Sequence, residues 1–142
     1  MKKIAIVYYS GSGNTEEMAN AVLRGCNEGH ADARLFNISE ISAAEALEYD
    51  VLVLGCPAMG AEELEDGEME PFMAEIESQI AGKDIALFGS YGWGDGEWMR
   101  NWQDRVEAAG AILLGDGVIC NEAPDDEALE ACRNLGLEVS KL

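Results

Sequence analysis

The chain has 142 residues, 9 of them Lys or Arg and 28 Asp or Glu, so its formal charge is −19 with the single His30 neutral. A 48% apolar composition supplies a core and excludes disorder as the main state, while the acidity argues against a binder of phosphate backbones. The longest apolar run, at Val51–Cys56, is far short of the roughly 20 residues that a bilayer crossing needs.

Lys3–Tyr9 is a short β-branched and aromatic run that stops at Ser10-Gly11-Ser12-Gly13, and it predicts a buried strand ending in a tight loop. A helix is expected from Thr15 to about Glu28: Met18, Val22, Leu23 and Cys26 recur at helical spacing, Glu16 and Glu17 favour the first turn, and Gly29 can end it. Ala33–Asn37 is a candidate edge strand. Val51–Cys56 has the continuous apolar pattern of a strand covered on both faces, stopped by Pro57. Pro71–Ile80 predicts a helix and Asp84–Ser90 a further buried strand. Glu97–Ala109 predicts a helix with Trp98, Trp102, Val106 and Ala109 along one side, closed by Gly110. Ala111–Cys120 is expected to form one Gly-interrupted strand, and Asp125 to open a last helix with Leu129, Cys132, Leu135 and Val139 inward.

This alternation implies a single α/β domain over residues 1–142, doubly wound, with about five parallel strands and helices on both faces. In such sheets ligands lie outside the carboxyl ends of the strands. The loops that matter are therefore Ser10–Thr15, Pro57–Asp66 and Ser90–Glu97.

Ser10-Gly11-Ser12-Gly13-Asn14-Thr15 sets two glycines and three hydroxyls between a strand and a helix N-terminus, an arrangement that attracts an anion. It lacks the third glycine of the dinucleotide fingerprint, and no Walker lysine follows it. With no Lys or Arg between Lys3 and Arg24, the loop suits the terminal phosphomonoester of a mononucleotide held without metal. The alternative is that Ser and Gly merely cap the helix.

Trp93 stands between Gly92 and Gly94, and Met59 precedes Gly60, both outside any periodic pattern. A planar ring between them accounts for both, with Glu62 placed to accept a hydrogen bond from a ring N–H. The alternatives are a Trp93 folded back on the protein, a core-filling Met59 and a merely solvated Glu62. No Ser/His/Asp set and no Cys beside His30 supports nucleophilic or acid–base catalysis, so no catalytic residue is assigned. Cys26, Cys56, Cys120 and Cys132 form no C-x-x-C pair, and one His builds no zinc cluster. Reduced thiols and no metal are expected; Cys56, at a strand end, is the one plausible reactive thiol, and the expected role for it is a small buried hydrophobe under its loop.

YYSGSGNTEEMA, LGCPAMGAEELED, LFGSYGWGDGEWMRNW and NEAPDDEALEAC resemble the loops of the short-chain flavodoxins, close to those of anaerobic bacteria, over nearly the whole chain. The resemblance implies strand order 2-1-3-4-5, one non-covalent FMN and electron transfer. Ser10, Ser12, Asn14 and Thr15, with the amides of Gly11 and Gly13, would hold the phosphate. Met59 and Trp93 would cover opposite ring faces, with Ala58, Gly60, Ala61, Ser90, Tyr91, Gly92 and Gly94 completing the two loops. Glu62 would accept from ring N3–H, and the Gly60–Ala61 peptide would flip so that its carbonyl meets the protonated N5 of the semiquinone. Ser12 stands where the family commonly has Thr, and Ala61 where it often has Asp, Asn or Ser, a change expected to make the flipped state less stable.

The expected function is a low-potential, one-electron carrier moving between semiquinone and hydroquinone. The alternatives are an FMN-dependent quinone or metal reductase, or a dedicated donor to one enzyme. From Leu35 to Gly82 there are twelve acids and no Lys or Arg, a field that steers basic-faced redox partners or else only solubilises the surface. No nucleic-acid or membrane partner is expected, the state is expected to be monomeric, and the absence of an apolar leader after Met1-Lys2-Lys3 points to a cytoplasmic location.

Overall fold

The computed structural model describes residues 2–142. Five parallel lanes run β2 (Asp32–Asn37), β1 (Lys3–Tyr8), β3 (Val51–Gly55), β4 (Asp84–Tyr91) and β5 (Ile112–Leu113), and β6 (Val118–Asn121) occupies the last lane farther along β4. The helices are α1 (Asn14–Glu28), α2 (Ala43–Ala46), α3 (Met69–Ile76), α4 (Glu97–Ala108) and α5 (Asp126–Ser140).

Alternate residues of the central strands feed two cores. Ile4, Ile6, Val51, Val53, Ala86 and Phe88 pack with α1 and α5, whereas Ala5, Val7, Leu52, Leu54, Ile85 and Leu87 pack with α2, α3 and α4. This is the doubly wound arrangement with order 2-1-3-4-5, and the continuous apolar runs follow from strands covered on both faces. Met18, Val22, Cys26, Trp98, Trp102, Val106, Cys132, Leu135 and Val139 are buried as the spacing predicts, while Leu23, Ala109 and Leu129 are only partly so. Helices α1 and α5 lie backbone to backbone: a Cβ on Gly25 would fall 1.9 Å from the Arg133 carbonyl oxygen, and one on Gly136 would fall 2.1 Å from that of Val22.

Two expectations are corrected. The last strand is two pieces, because Gly115 turns left-handed at φ 64° and the Gly117 amide leaves the ladder for Gln103 Oε1 at 2.8 Å. The helix expected at Pro71–Ile80 spans Met69–Ile76. Glu65 sets its start, its carboxylate accepting from the amides of Gly67 and Glu68 at 2.7 Å and Met69 at 3.0 Å. Pro71 then sits in the first turn, where its missing N–H costs nothing. Between Asn37 and Val51, a segment that the sequence pattern leaves unassigned, a 3-10 turn (Ile38–Glu40) and α2 are closed by capping boxes of Asn37 with Glu40 and Ser42 with Glu45. Among the described residues, no helix is long and apolar enough to cross a membrane.

Candidate functional site

The carboxyl ends of β1, β3 and β4 bring the three glycine-rich loops to one edge of the sheet. In the first loop the Ser10 hydroxyl turns inward and accepts from the amides of Gly13 at 3.1 Å and Glu16 at 3.2 Å, while Ser12 Oγ accepts from Asn14 at 3.4 Å. Gly13, at φ 99°, takes the N-cap place of α1 in a left-handed conformation that an L side chain rarely adopts, and with no side chain of its own it leaves the Glu16 amide to Ser10. Thr15 is 1% exposed, and its Oγ1 is buried without a hydrogen-bond partner. A polar atom left in that state usually has its partner in a bound molecule or water. Behind the loop, Tyr8 donates to Glu16 Oε2 at 2.8 Å, and burial together with that carboxylate pushes its phenol up to about 12.

The second loop is a tight turn closed by paired backbone bonds between Met59 and Glu63, at 2.8 and 2.9 Å. The left-handed positions in it are Gly60 at φ 50° and Glu62 at φ 56°; Ala61 between them is not one of them. Met59 is exposed, and Trp93 in the third loop is 65% exposed. Neither side chain is used as core, which removes the folded-back Trp93 and the core-filling Met59. Glu62 is more than a solvated acid: its Oε1 accepts from the amides of Gly96 and Glu97, each at 3.2 Å.

Several supports carry no signal in a single sequence. The Trp98 indole N–H donates to the Cys56 carbonyl at 3.1 Å, and the Ala58 amide donates to the Ser90 carbonyl at 3.0 Å, so the second and third loops share a base. Ser90, 3% exposed, sends its hydroxyl to the Glu122 carbonyl at 2.6 Å, which makes it a support below the loop surface. The Tyr91 carbonyl accepts from the Glu122 amide at 2.7 Å and from Asn121 Nδ2 at 3.2 Å. Cys56 is buried under its loop, and desolvation pushes its thiol up to about 12, so it is a packed side chain and no nucleophile.

The Flavodoxin family model matches residues 6–136 of this chain. The chain belongs to the flavodoxin family. It is 44% identical over 137 residues to the flavodoxin of Clostridium beijerinckii, covering 96% of this chain and 99% of that one. It is 43% identical over 138 residues to the flavodoxin of Megasphaera elsdenii, covering 97% and 98%. The solution structure of two-electron reduced Megasphaera elsdenii flavodoxin superposes with a TM-score of 0.90 over 98% of this chain and 99% of that one. As a flavodoxin the chain binds FMN and serves oxidoreductases as an electron-transfer protein rather than as an enzyme. The residues present fit that cofactor: an unpaired buried hydroxyl at a helix N-terminus suits its phosphate, and two exposed apolar side chains on adjoining loops suit its ring.

Proposed function

We propose that this flavodoxin is a strongly reducing one-electron carrier, with Ser10, Ser12, Asn14, Thr15 and the amides of Gly11 and Gly13 on the FMN phosphate, and Met59 and Trp93 on its ring. FMN, when bound, supplies a ring that accepts and returns electrons one at a time. Glu62 accepts from ring N3–H, Gly60 and Ala61 offer backbone groups at the ring edge, and Ala58, Ser90, Tyr91, Gly92 and Gly94 shape the slot. The first, second and third loops contain no Lys or Arg, and the whole chain carries −19. Added negative charge is therefore opposed there, which lowers the potential at which the last electron enters. The observation that carries this reading is the 65% exposure of Trp93 in a loop held from both sides, an apolar platform with no structural use of its own.

Partners are read as basic-faced oxidoreductases that dock transiently on the acidic side. There Glu63, Asp66 and Glu68 are exposed, and the guanidinium of Arg105 is taken up by Glu70 and Glu77. Such docking is fast and salt-sensitive. A monomeric, cytoplasmic, one-domain protein remains part of this reading. Stepwise anaerobic reduction of the FMN-loaded protein, followed by visible spectroscopy, tests the carrier. Two resolved one-electron steps, the second at much lower potential, are expected. A single two-electron bleaching overturns the reading in favour of an FMN-dependent reductase.

A further inference from the structure

We propose that Glu62 is a positioning residue that straps the second loop to the N-terminus of α4 and so fixes where Trp93 stands. The proposal deepens the reading of Trp93 as the ring platform and rests on it only for the consequence for FMN.

Helix α4 begins at Glu97 behind Gly96, a residue with no side chain to cap it, and no neighbouring side chain within its own segment does so. Its first amides need an acceptor from elsewhere. Glu62, 34 residues upstream of Gly96, supplies it: a single carboxylate oxygen, Oε1, accepts from both Gly96 and Glu97 at 3.2 Å. A negative charge at a helix N-terminus is also favoured by the aligned peptide dipoles.

The backbone is shaped for this reach. Glu62 is held at φ 56°, a left-handed conformation that disfavours a β-carbon, by a turn whose ends are paired through Met59 and Glu63. Its carboxylate then passes directly over Gly94: a Cβ there would fall 2.3 Å from the Glu62 carboxyl carbon. Only glycine leaves room for the strap next to Trp93. The other end of the Trp93 loop is anchored at the Tyr91 carbonyl by Glu122 and Asn121. The indole is thus carried on a short span tied at one end to β6 and at the other to Glu62.

Glu62 Oε2 has no partner among the described residues, so strapping does not use up the carboxylate. One side chain can hold the loop through Oε1 and still offer Oε2 to a ring N–H. Ring recognition and ring coverage are then coupled through one residue.

The test is amide hydrogen exchange by NMR, together with 15N relaxation of the Trp93 indole N–H, on FMN-free wild type, Glu62→Gln and Glu62→Gly. Glutamine keeps an oxygen acceptor; glycine removes the side chain and relieves the left-handed backbone, so its effect is not one of strain. Exchange at Gly96 and Glu97 is expected to be about tenfold faster or more in Glu62→Gly, with a more mobile Trp93, and to return close to wild type in Glu62→Gln. Unchanged exchange in Glu62→Gly, or a Glu62→Gln as fast as Glu62→Gly, overturns the strap. Because these readings are taken without FMN, they are independent of whether the ring stacks on Trp93. That question is answered separately by FMN titration of the same proteins, where a strap that holds predicts weaker binding in Glu62→Gly than in Glu62→Gln.

Discussion

Trp98 Nε1 lies 3.1 Å from the carbonyl oxygen of Cys56, and this buried bond ties together two segments 42 residues apart in sequence. The same carbonyl is approached by Gly89, whose Cβ, if present, would fall 2.1 Å from it. Replacing Trp98 by Phe keeps an aromatic ring but leaves the Cys56 carbonyl without its donor. The variant is expected to lose roughly 1–3 kcal/mol of unfolding free energy, read from urea unfolding of the FMN-free protein.

Thr15→Val removes a hydroxyl that has no partner inside the protein and keeps the shape. The FMN-free protein should be as stable as wild type or slightly more so, because an unsatisfied buried group is lost. FMN should bind about tenfold more weakly or worse, the value of a hydrogen bond to a charged group. Riboflavin, which lacks the phosphate, should bind both proteins equally. Calorimetric titration with the two ligands distinguishes a phosphate contact from general damage.

Trp93→Ala acts on an exposed side chain, so the stability of the FMN-free protein should change by no more than about 0.5 kcal/mol. Loss of the ring's platform should weaken FMN by about 10- to 100-fold, in line with the burial of a large aromatic surface. Quenching of flavin fluorescence on binding gives the constant. An unchanged affinity would place the ring elsewhere.

Glu65 makes acid stability a local matter. Burial opposes its charge, yet the amides of Met69, Glu68 and Gly67 outweigh burial and hold its carboxyl below the ordinary value of 4.5. A depressed folded value means that its contribution is fully present above 4.5 and is lost as pH falls through the lower folded value. Glu65→Gln should therefore be less stable at pH 7 and should show a shallower loss below pH 4.5 than wild type. Urea midpoints measured on both proteins down the acid range check the sign.

Electron transfer to a basic acceptor protein should slow steeply as salt rises, since exposed charges beyond about 10 Å are screened near 0.1 M. Stopped-flow rates at increasing salt, with a small neutral acceptor as control, read this directly. A rate independent of salt would leave the acids a solubilising role.

The strands and the three loops were legible because each depends on neighbours in sequence: apolar runs for β1, β3 and β4, and glycine with hydroxyl residues where they stop. The third helix begins at Met69, two residues before the expected Pro71, because its start is fixed by Glu65, an acid that looks like any other in an acidic stretch. The Asn37/Glu40 and Ser42/Glu45 boxes were written in the chain, but they close elements of three and four residues, too short for periodicity to show. The break between β5 and β6 depends on Gln103 of α4 reaching the Gly117 amide. The Glu62 contact likewise exists only once two distant loops meet, so Glu62 was readable as an acceptor near a ring and not as a helix cap.

The close seating of α1 on α5 gives the site an order of assembly. The loop from Ser10 to Thr15 opens a helix whose backbone-close partner is distant in sequence, so α1 is seated only once Gly136 has docked. The anion-binding loop is therefore steadied, through α1, by a helix far from it in the chain.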